Sequence, residues 1–222
     1  MTIEIEVLAD PDAVAARGAG FVAEAARQAI AARGRFTVAV SGGRTPRAML
    51  QILAAEDLPW EEIGIWQADE RIAPDGDPDR NLTGLMPLLP PGAGFHPMPV
   101  ADPDLNAAAS RYAASLPAVF DLVHLGIGDD GHTASLVPGD PVLDVTDRDV
   151  AITDGYRGRR RMTLTFPPLA RARRVLWLVT GRDKAAVLPA LLRGDPAIPA
   201  GRVAAAEQLV VADASAAAEL DR

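Results

Sequence analysis

The sequence contains no cysteine, which excludes disulfide staples, a thiol nucleophile and any metal site built on thiolates. It also lacks a basic stretch followed by an apolar one at its start. "MTIEIEVLAD" alternates acidic and aliphatic residues and predicts no signal peptide. No apolar run approaches the roughly 20 residues of a membrane-spanning helix, so no membrane partner is expected. Positive charge is in deficit, with 22 Lys and Arg against 30 Asp and Glu and a formal charge of -8. That balance disfavours binding along a phosphate backbone, so nucleic acid is not expected either. Histidine is scarce: His96, His124 and His132 are the only three. What is present is a chain of 222 residues, 49% of them hydrophobic, enough to bury a proper core. These features predict one domain over residues 1–222, soluble and cytoplasmic, a monomer or weak homo-oligomer acting on a small molecule.

Apolar strand-like runs alternate with helical patterns along the chain. "IEIEVL" has a period of two and reads as a strand. Asp10 and Pro11 then supply a cap and a first helical residue, Val14, Phe21, Ala25 and Ala29 share one helical face, and Gly34 ends the run. Gly18 and Gly20 are the weak points of that helix. "RFTVAV" (35–40) and "EIGIWQA" (62–68) read as strands flanking a helix opened by "TPRAMLQIL", with Thr45 as cap and Pro46 at the first position. Residues 69–80, "DERIAPDGDPDR", are too polar and too rich in Pro and Gly for regular structure, so a loop is expected. "NLTGLMPLL" predicts a short helix, a Pro-rich link follows, and "DLNAAASRYAASL" predicts another helix. "FDLVHLGIG" (120–128) is almost wholly apolar, the pattern of a parallel strand covered on both faces. "RRMTLTF", "RRVLWLVTG" and "QLVVAD" read as strands, with "DKAAVLPALL" as a helix before the last. The alternation predicts an α/β fold: an open, mostly parallel, twisted, Rossmann-like sheet with helices on both faces.

In such a sheet, ligands bind beyond the carboxyl ends of the strands. "SGGRTP" (41–46), "DER" (69–71), "DDGHT" (129–133) and "GRDK" (181–184) each follow a predicted strand, so all four polar clusters should fall on one edge. In the first, Gly42 and Gly43 let the backbone approach a ligand and lead into a helix whose free amides attract an anion. Ser41, Gly42, Gly43, Arg44 and Thr45 therefore fit a phosphate cradle, and equally a tight turn with an ordinary cap; they match neither the P-loop nor the dinucleotide fingerprint. Lys184 follows Asp183 near a helix start, where a lysine opposes the helix dipole at a cost of about 0.3–1 kcal/mol. It suits an anion ligand, or a solvated lysine folded back on Asp183. Arg161 stands in a basic stretch with Arg157, Arg159 and Arg160, and strand alternation can turn it into the cleft. His124, inside an apolar strand, reads as a core imidazole.

His132 differs because Asp129 and Asp130 adjoin it. A carboxylate within reach fixes the tautomer of an imidazole and stabilises its protonated form, which a general base working near pH 7 requires. One His with one or two Asp could also hold a metal, but no second histidine stands at ligand spacing, and no metal or organic cofactor is expected. "TASLV" lacks the Gly-x-Ser-x-Gly context of a serine nucleophile.

"SGGRTP", "WQADER" with "RN" downstream, "LGIGDDGHTASLVPG", "RMTLTF" and "VTGRDKAAVL", in this order over residues 36–217, resemble the glucosamine-6-phosphate isomerase/6-phosphogluconolactonase family, on its lactonase side. The resemblance implies hydrolysis of 6-phosphoglucono-1,5-lactone without a metal or organic cofactor, on a fold shared with glucosamine-6-phosphate deaminase and ribose-5-phosphate isomerase. It implies His132 as general base with Asp130 as its partner, and Arg71, Arg161 and Lys184 as cations for the phosphate or the oxyanion. Asp69 and Asn81 join the substrate-binding set with the 41–45 loop. This chain departs from the family at Arg80, where a serine is common, and at Arg44, where a smaller residue is common. Two alternatives stay open. A deaminase of the same fold is disfavoured because "DGHTASLVP" lacks the glutamate of the deaminases' "DGHIAFNEP". A non-catalytic sugar-phosphate sensor would bind phosphogluconate without turnover.

Overall fold

Asp10 accepts a hydrogen bond from the Ala13 amide at 2.8 Å, Pro11 opens the first helix, and Gly34 closes it in the left-handed conformation (φ 73°), as the chemistry of these residues dictates. The computed structural model describes residues 2–220. In chain order the elements are β1 (Thr2–Leu8), α1 (Pro11–Arg33), β2 (Phe36–Val40), α2 (Arg44–Leu53), β3 (Ile63–Gln67), β4 (Asp69–Arg71), α3 (Asn81–Leu85) and β5 (Gly94–His96). They continue as α4 (Leu105–Ser115), β6 (Leu122–Leu125), β7 (Val150–Ile152), β8 (Arg161–Leu164), α5 (Phe166–Arg171), β9 (Arg174–Val179), α6 (Leu188–Leu192) and β10 (Glu207–Asp213). Seven strands pair in the order β1-β10-β9-β6-β2-β3-β5, every pairing parallel. The predicted α/β architecture is the observed one.

Because side chains alternate along a strand, the central strands feed two cores at once. Phe36, Val38 and Val40 of β2, with Leu176 and Leu178 of β9, pack under α1 and α2. Ala39, Val123, Leu125 and Trp177 pack on the other face with α4 and with Met162 and Leu164. Gly18, a weak point by propensity, is where α1 touches the sheet: a Cβ there would lie 3.0 Å from Leu178. A buried Phe36, Leu122 or Leu125 contributes about 1.5–3 kcal/mol, more than the ~1 kcal/mol of a helix cap, so the two cores and not the capping residues hold the sheet together.

The structure corrects several expectations. "RRMTLTF" does not join the main sheet; β8 forms a separate antiparallel sheet in the order β4-β8-β7. The expected loop 69–80 therefore begins as a strand, and its remainder is pinned by Arg80 on Asp75 and by Arg159 on Asp77 at 3.0 Å and Asp79 at 3.2 Å. Thr45 is not the cap of α2. Gly43 is, no side chain caps that helix, and the Thr45 hydroxyl lies 2.8 Å from that of Thr180. "DKAAVLPALL" is a single tight turn at Arg182–Lys184 followed by the short α6. The Pro-rich link holds β5, whose His96 stacks on Trp66 with ring centroids 4.1 Å apart. No helix among the described residues is long and apolar enough to cross a membrane.

Candidate active site

All four polar clusters emerge beyond the carboxyl ends of parallel strands, at β2, β3, β6 and β9. Between the first three lies a cleft of about 140 Å³, lined by Ser41, Gly42, Asp69, Arg71, Asn81, Gly126, Ile127, His132, Ala134 and Arg161.

One wall belongs to the small sheet. In its register Asp69 faces Thr163, Glu70 faces Met162 and Arg71 faces Arg161. Alternation sends Glu70 to the far side, where it is fully buried. Its Oε1 accepts from the Asn81 amide (2.7 Å) and the Arg71 amide (2.8 Å), and its Oε2 from the Leu82 amide and the Gln67 side chain (both 2.8 Å). This carboxylate ties β4 to the start of α3. Arg71 and Arg161 point the other way, into the cleft, as like charges directly opposite each other, an arrangement that destabilises an antiparallel pair. Both are held by neutral groups: Arg71 donates to Asn81 Oδ1, and Arg161 donates to Ser135 Oγ at 3.4 Å and lies over the ring of Tyr156 at 5.0 Å. Burial lowers the Arg161 pKa below its ordinary value, with Asp69 opposing and Arg71 reinforcing the shift. The Arg161 Nε and the Ser41 hydroxyl are buried and unpartnered. Asn81 is fixed by donation to the Asp69 carbonyl (2.9 Å) and presses so closely on Gly42 that a Cβ there would lie 1.9 Å from its Oδ1. Gly42 is thus required by close approach.

The opposite wall is the turn after β6. The Gly128 amide donates to the His132 carbonyl at 2.8 Å, and the Thr133 hydroxyl donates to the Gly126 carbonyl at 2.9 Å. A Cβ on Gly128 would lie 2.0 Å from His132 Nδ1, so only glycine lets the imidazole rest against this backbone. His132 Nδ1 is 2.5 Å from Asp130 Oδ1. With Asp130 ionised, Nδ1 carries the proton and Nε2 keeps its lone pair. Burial alone would raise the Asp130 carboxyl, but donation from the His132 amide, the His132 ring and the Tyr156 hydroxyl holds it below its ordinary value. Asp129 pairs with Arg157 at 3.0 Å, outside the cleft. "AIPAGRV" braces the turn from behind: Ala200 donates to the Gly131 carbonyl at 3.0 Å, and Ile198 packs against Gly131.

Of the expected site residues, Ser41, Gly42, Asp69, Arg71, Asn81, His132 and Arg161 meet in the cleft, and Asp130 meets it through His132. Gly43, Arg44, Thr45 and Lys184 stand outside its lining. Lys184, the chain's only lysine, folds back on Asp183 at 2.8 Å. Of the cations Arg44, Arg71, Arg80, Arg161 and Lys184, only Arg71 and Arg161 line the cleft, and Arg80 turns to Asp75 and Glu70. Sequence reading missed Tyr156, Ser135 and Glu70. Tyr156 sits in a run of arginines, and its turn, with positive φ at Arg157 (49°) and Gly158 (78°), is what delivers it to Asp130. His124 is less satisfied than expected: it is fully buried, Nδ1 accepts from the Ser41 amide at 3.4 Å, and Nε2 has no partner. A larger hollow of about 300 Å³ beside β1 is walled by charges that neutralise one another, Glu6 with Arg17 at 2.7 Å and Arg174 with Glu207 at 3.0 Å. Among the described residues no three His, Asp or Glu side chains form a group able to hold a metal ion.

The family model described as glucosamine-6-phosphate isomerases/6-phosphogluconolactonase matches residues 9–211. The chain belongs to this family. It is 40% identical over 201 residues to a 6-phosphogluconolactonase of Synechocystis, covering 83% of this chain and 82% of that one. The solved 6-phosphogluconolactonase of Trypanosoma brucei superposes with a TM-score of 0.86 at 26% identity over 99% of both chains. A monomeric glucosamine-6-phosphate deaminase superposes with a TM-score of 0.84 at 18% identity, over 99% of this chain and all (100%) of that one, which shows a shared fold.

Proposed function

We infer that the protein hydrolyses 6-phosphoglucono-1,5-lactone to 6-phosphogluconate, the lactone-opening step of the oxidative pentose phosphate route. The observation that carries this reading is one cleft with the His132–Asp130 pair on one wall and two apposed guanidinium groups, Arg71 and Arg161, on the other. Like charges face one another at a cost in stability, and an oxyanion between them offsets that cost.

In the proposed reaction, His132 Nε2 takes a proton from water as its oxygen attacks C1 of the lactone. The carbonyl becomes an oxyanion held by Arg71 and Arg161, an interaction often worth about 3 kcal/mol per donor. The bond from C1 to the ring oxygen then breaks, and the imidazolium returns its proton to that oxygen. Arg161 belongs at the reacting end because it shares the Tyr156 ring with His132. The phosphate is proposed to lie beside Ser41 and Gly42, where the uncapped amides at the start of α2 follow the cleft lining. Remote binding there orients the carbonyl. The lactone is intrinsically reactive, so one base, two cations and orientation supply the modest barrier reduction required. No step needs a metal, and a cytoplasmic location suits a cysteine-free chain acting on a phosphorylated sugar. In the segment where the deaminases carry glutamate, this chain has buried Val137.

The test is acid release from freshly made 6-phosphoglucono-1,5-lactone, with and without protein, after dialysis against a chelator. Acceleration that survives chelation is expected. Phosphogluconate binding without acceleration would favour a sensor.

A further inference from the structure

We infer that Tyr156 is a positioning residue for the reaction, its hydroxyl fixing the Asp130 carboxylate that orients the His132 base while its ring supports the Arg161 guanidinium. The inference rests on the lactonase reading above. Each oxygen of Asp130 has a separate partner: Oδ1 lies 2.5 Å from His132 Nδ1, and Oδ2 accepts from the Tyr156 hydroxyl at 2.9 Å. The Asp130 side chain is about one-third exposed (35%); the His132 amide and ring both hold Oδ1, at 3.1 and 2.5 Å, and the Tyr156 hydroxyl is the one protein donor to Oδ2 among the described residues, so it sets the rotation of the carboxylate about that anchor. The ring meets His132 edge-on with centroids 5.3 Å apart, and its face carries Arg161 at 5.0 Å and Arg157 at 5.2 Å. One side chain thus touches both walls of the cleft. A tight turn holds it there: Tyr156 and Arg159 exchange backbone hydrogen bonds at 3.0 and 3.2 Å across Arg157 and Gly158.

The hydroxyl and the ring make separable predictions. Tyr156→Phe keeps the ring under Arg161 and removes only the donor to Asp130. It should lower kcat by about tenfold, since a hydrogen bond to a charged group is lost from the catalytic pair, while KM stays near the wild-type value. It should also move the acid limb of the pH–kcat profile to higher pH. Asp130, no longer sharing its charge with the hydroxyl, then holds a proton on the imidazole more firmly. The other charged groups around the ring and the imidazole, namely Asp129, Arg157, Arg161, Arg71 and Asp69, are unchanged in this variant. Tyr156→Leu removes ring and hydroxyl together and should raise KM as well as lower kcat.

The experiment is steady-state lactone hydrolysis across pH for wild type, Tyr156→Phe, Tyr156→Leu, Asp130→Asn and the double variant Tyr156→Phe/Asp130→Asn, with thermal melts of each. A tenfold loss in Tyr156→Phe at unchanged Tm, absent when Asp130 is already Asn, supports the assignment. Wild-type kcat and pH profile in Tyr156→Phe, or a full further loss in the double variant, overturns it while leaving the lactonase reading intact. A wild-type protein with no activity overturns the lactonase reading itself, and this role with it.

Discussion

Arg71 and Arg161 stand on a ladder whose neighbouring carboxylate, Glu70, is fully buried and saturated with hydrogen bonds. Across the cleft His132 stands on a glycine turn, its side chain 18% exposed and its ring fixed by Asp130 and Tyr156. The cationic wall is thus part of the folded framework, whereas the basic wall is hung on it. The proposed oxyanion partners, Arg71 and Arg161, sit on rigid strands, where fixed dipoles and cations act most strongly. The proposed base, His132, sits where water reaches it. Substitutions should divide accordingly: loss of the buried Glu70 brace should cost stability, and loss of a group that faces the cleft should cost chemistry.

The largest effect on stability should come from Glu70→Ala. It strips the Asn81, Leu82 and Arg71 amides of their acceptor and leaves buried Arg80 with one carboxylate fewer, at a cost of about 3–5 kcal/mol. Denaturant unfolding measures it, and a loss below about 1 kcal/mol would mean that the wall is not braced as described. Next, Arg161→Gln should lower kcat/KM roughly 100-fold, as loss of an oxyanion donor does. Its stability should hold or rise, because a like-charge pair is relieved. Parallel loss of stability and activity would show that Arg161 is structural.

A second histidine, buried away from water, sharpens the comparison at the smallest scale. His124, fully buried beneath Ser41, has its pKa pushed down by burial from 6.5 to about 3. Its folded form is neutral while the unfolded chain takes up a proton below about pH 6.5. The stability tied to it is therefore complete above that pH and is lost as pH falls towards 3, at up to about 1.4 kcal/mol per pH unit. His124→Asn should flatten that slope between pH 6.5 and 4.5, as followed by unfolding free energy against pH; an unchanged slope would place the acid sensitivity elsewhere.

The strand ends and the placement of all four polar clusters were legible in the sequence because each follows a strongly patterned strand and the parallel topology carries all such loops to one edge. The apposition of Arg71 and Arg161 was not. It depends on "DER" pairing with "RMTL", two segments far apart in sequence whose local patterns do not specify a second sheet. Tyr156 was hidden for a related reason: its role comes from a turn set by Arg157 and Gly158, in a stretch that reads as surface charge. For Lys184 the sequence offered two directions, towards an anion or back on Asp183, and the structure shows the second, on a tight turn rather than a regular helix start.

The most direct test of the account is His132→Ala, assayed for acid release from 6-phosphoglucono-1,5-lactone beside a thermal melt. Loss of a positioned base should lower kcat about 10²–10⁴-fold with Tm unchanged. A variant that kept near-wild-type kcat, or that lost activity only in step with its fold, would contradict the assignment of the base and of the wall that carries it.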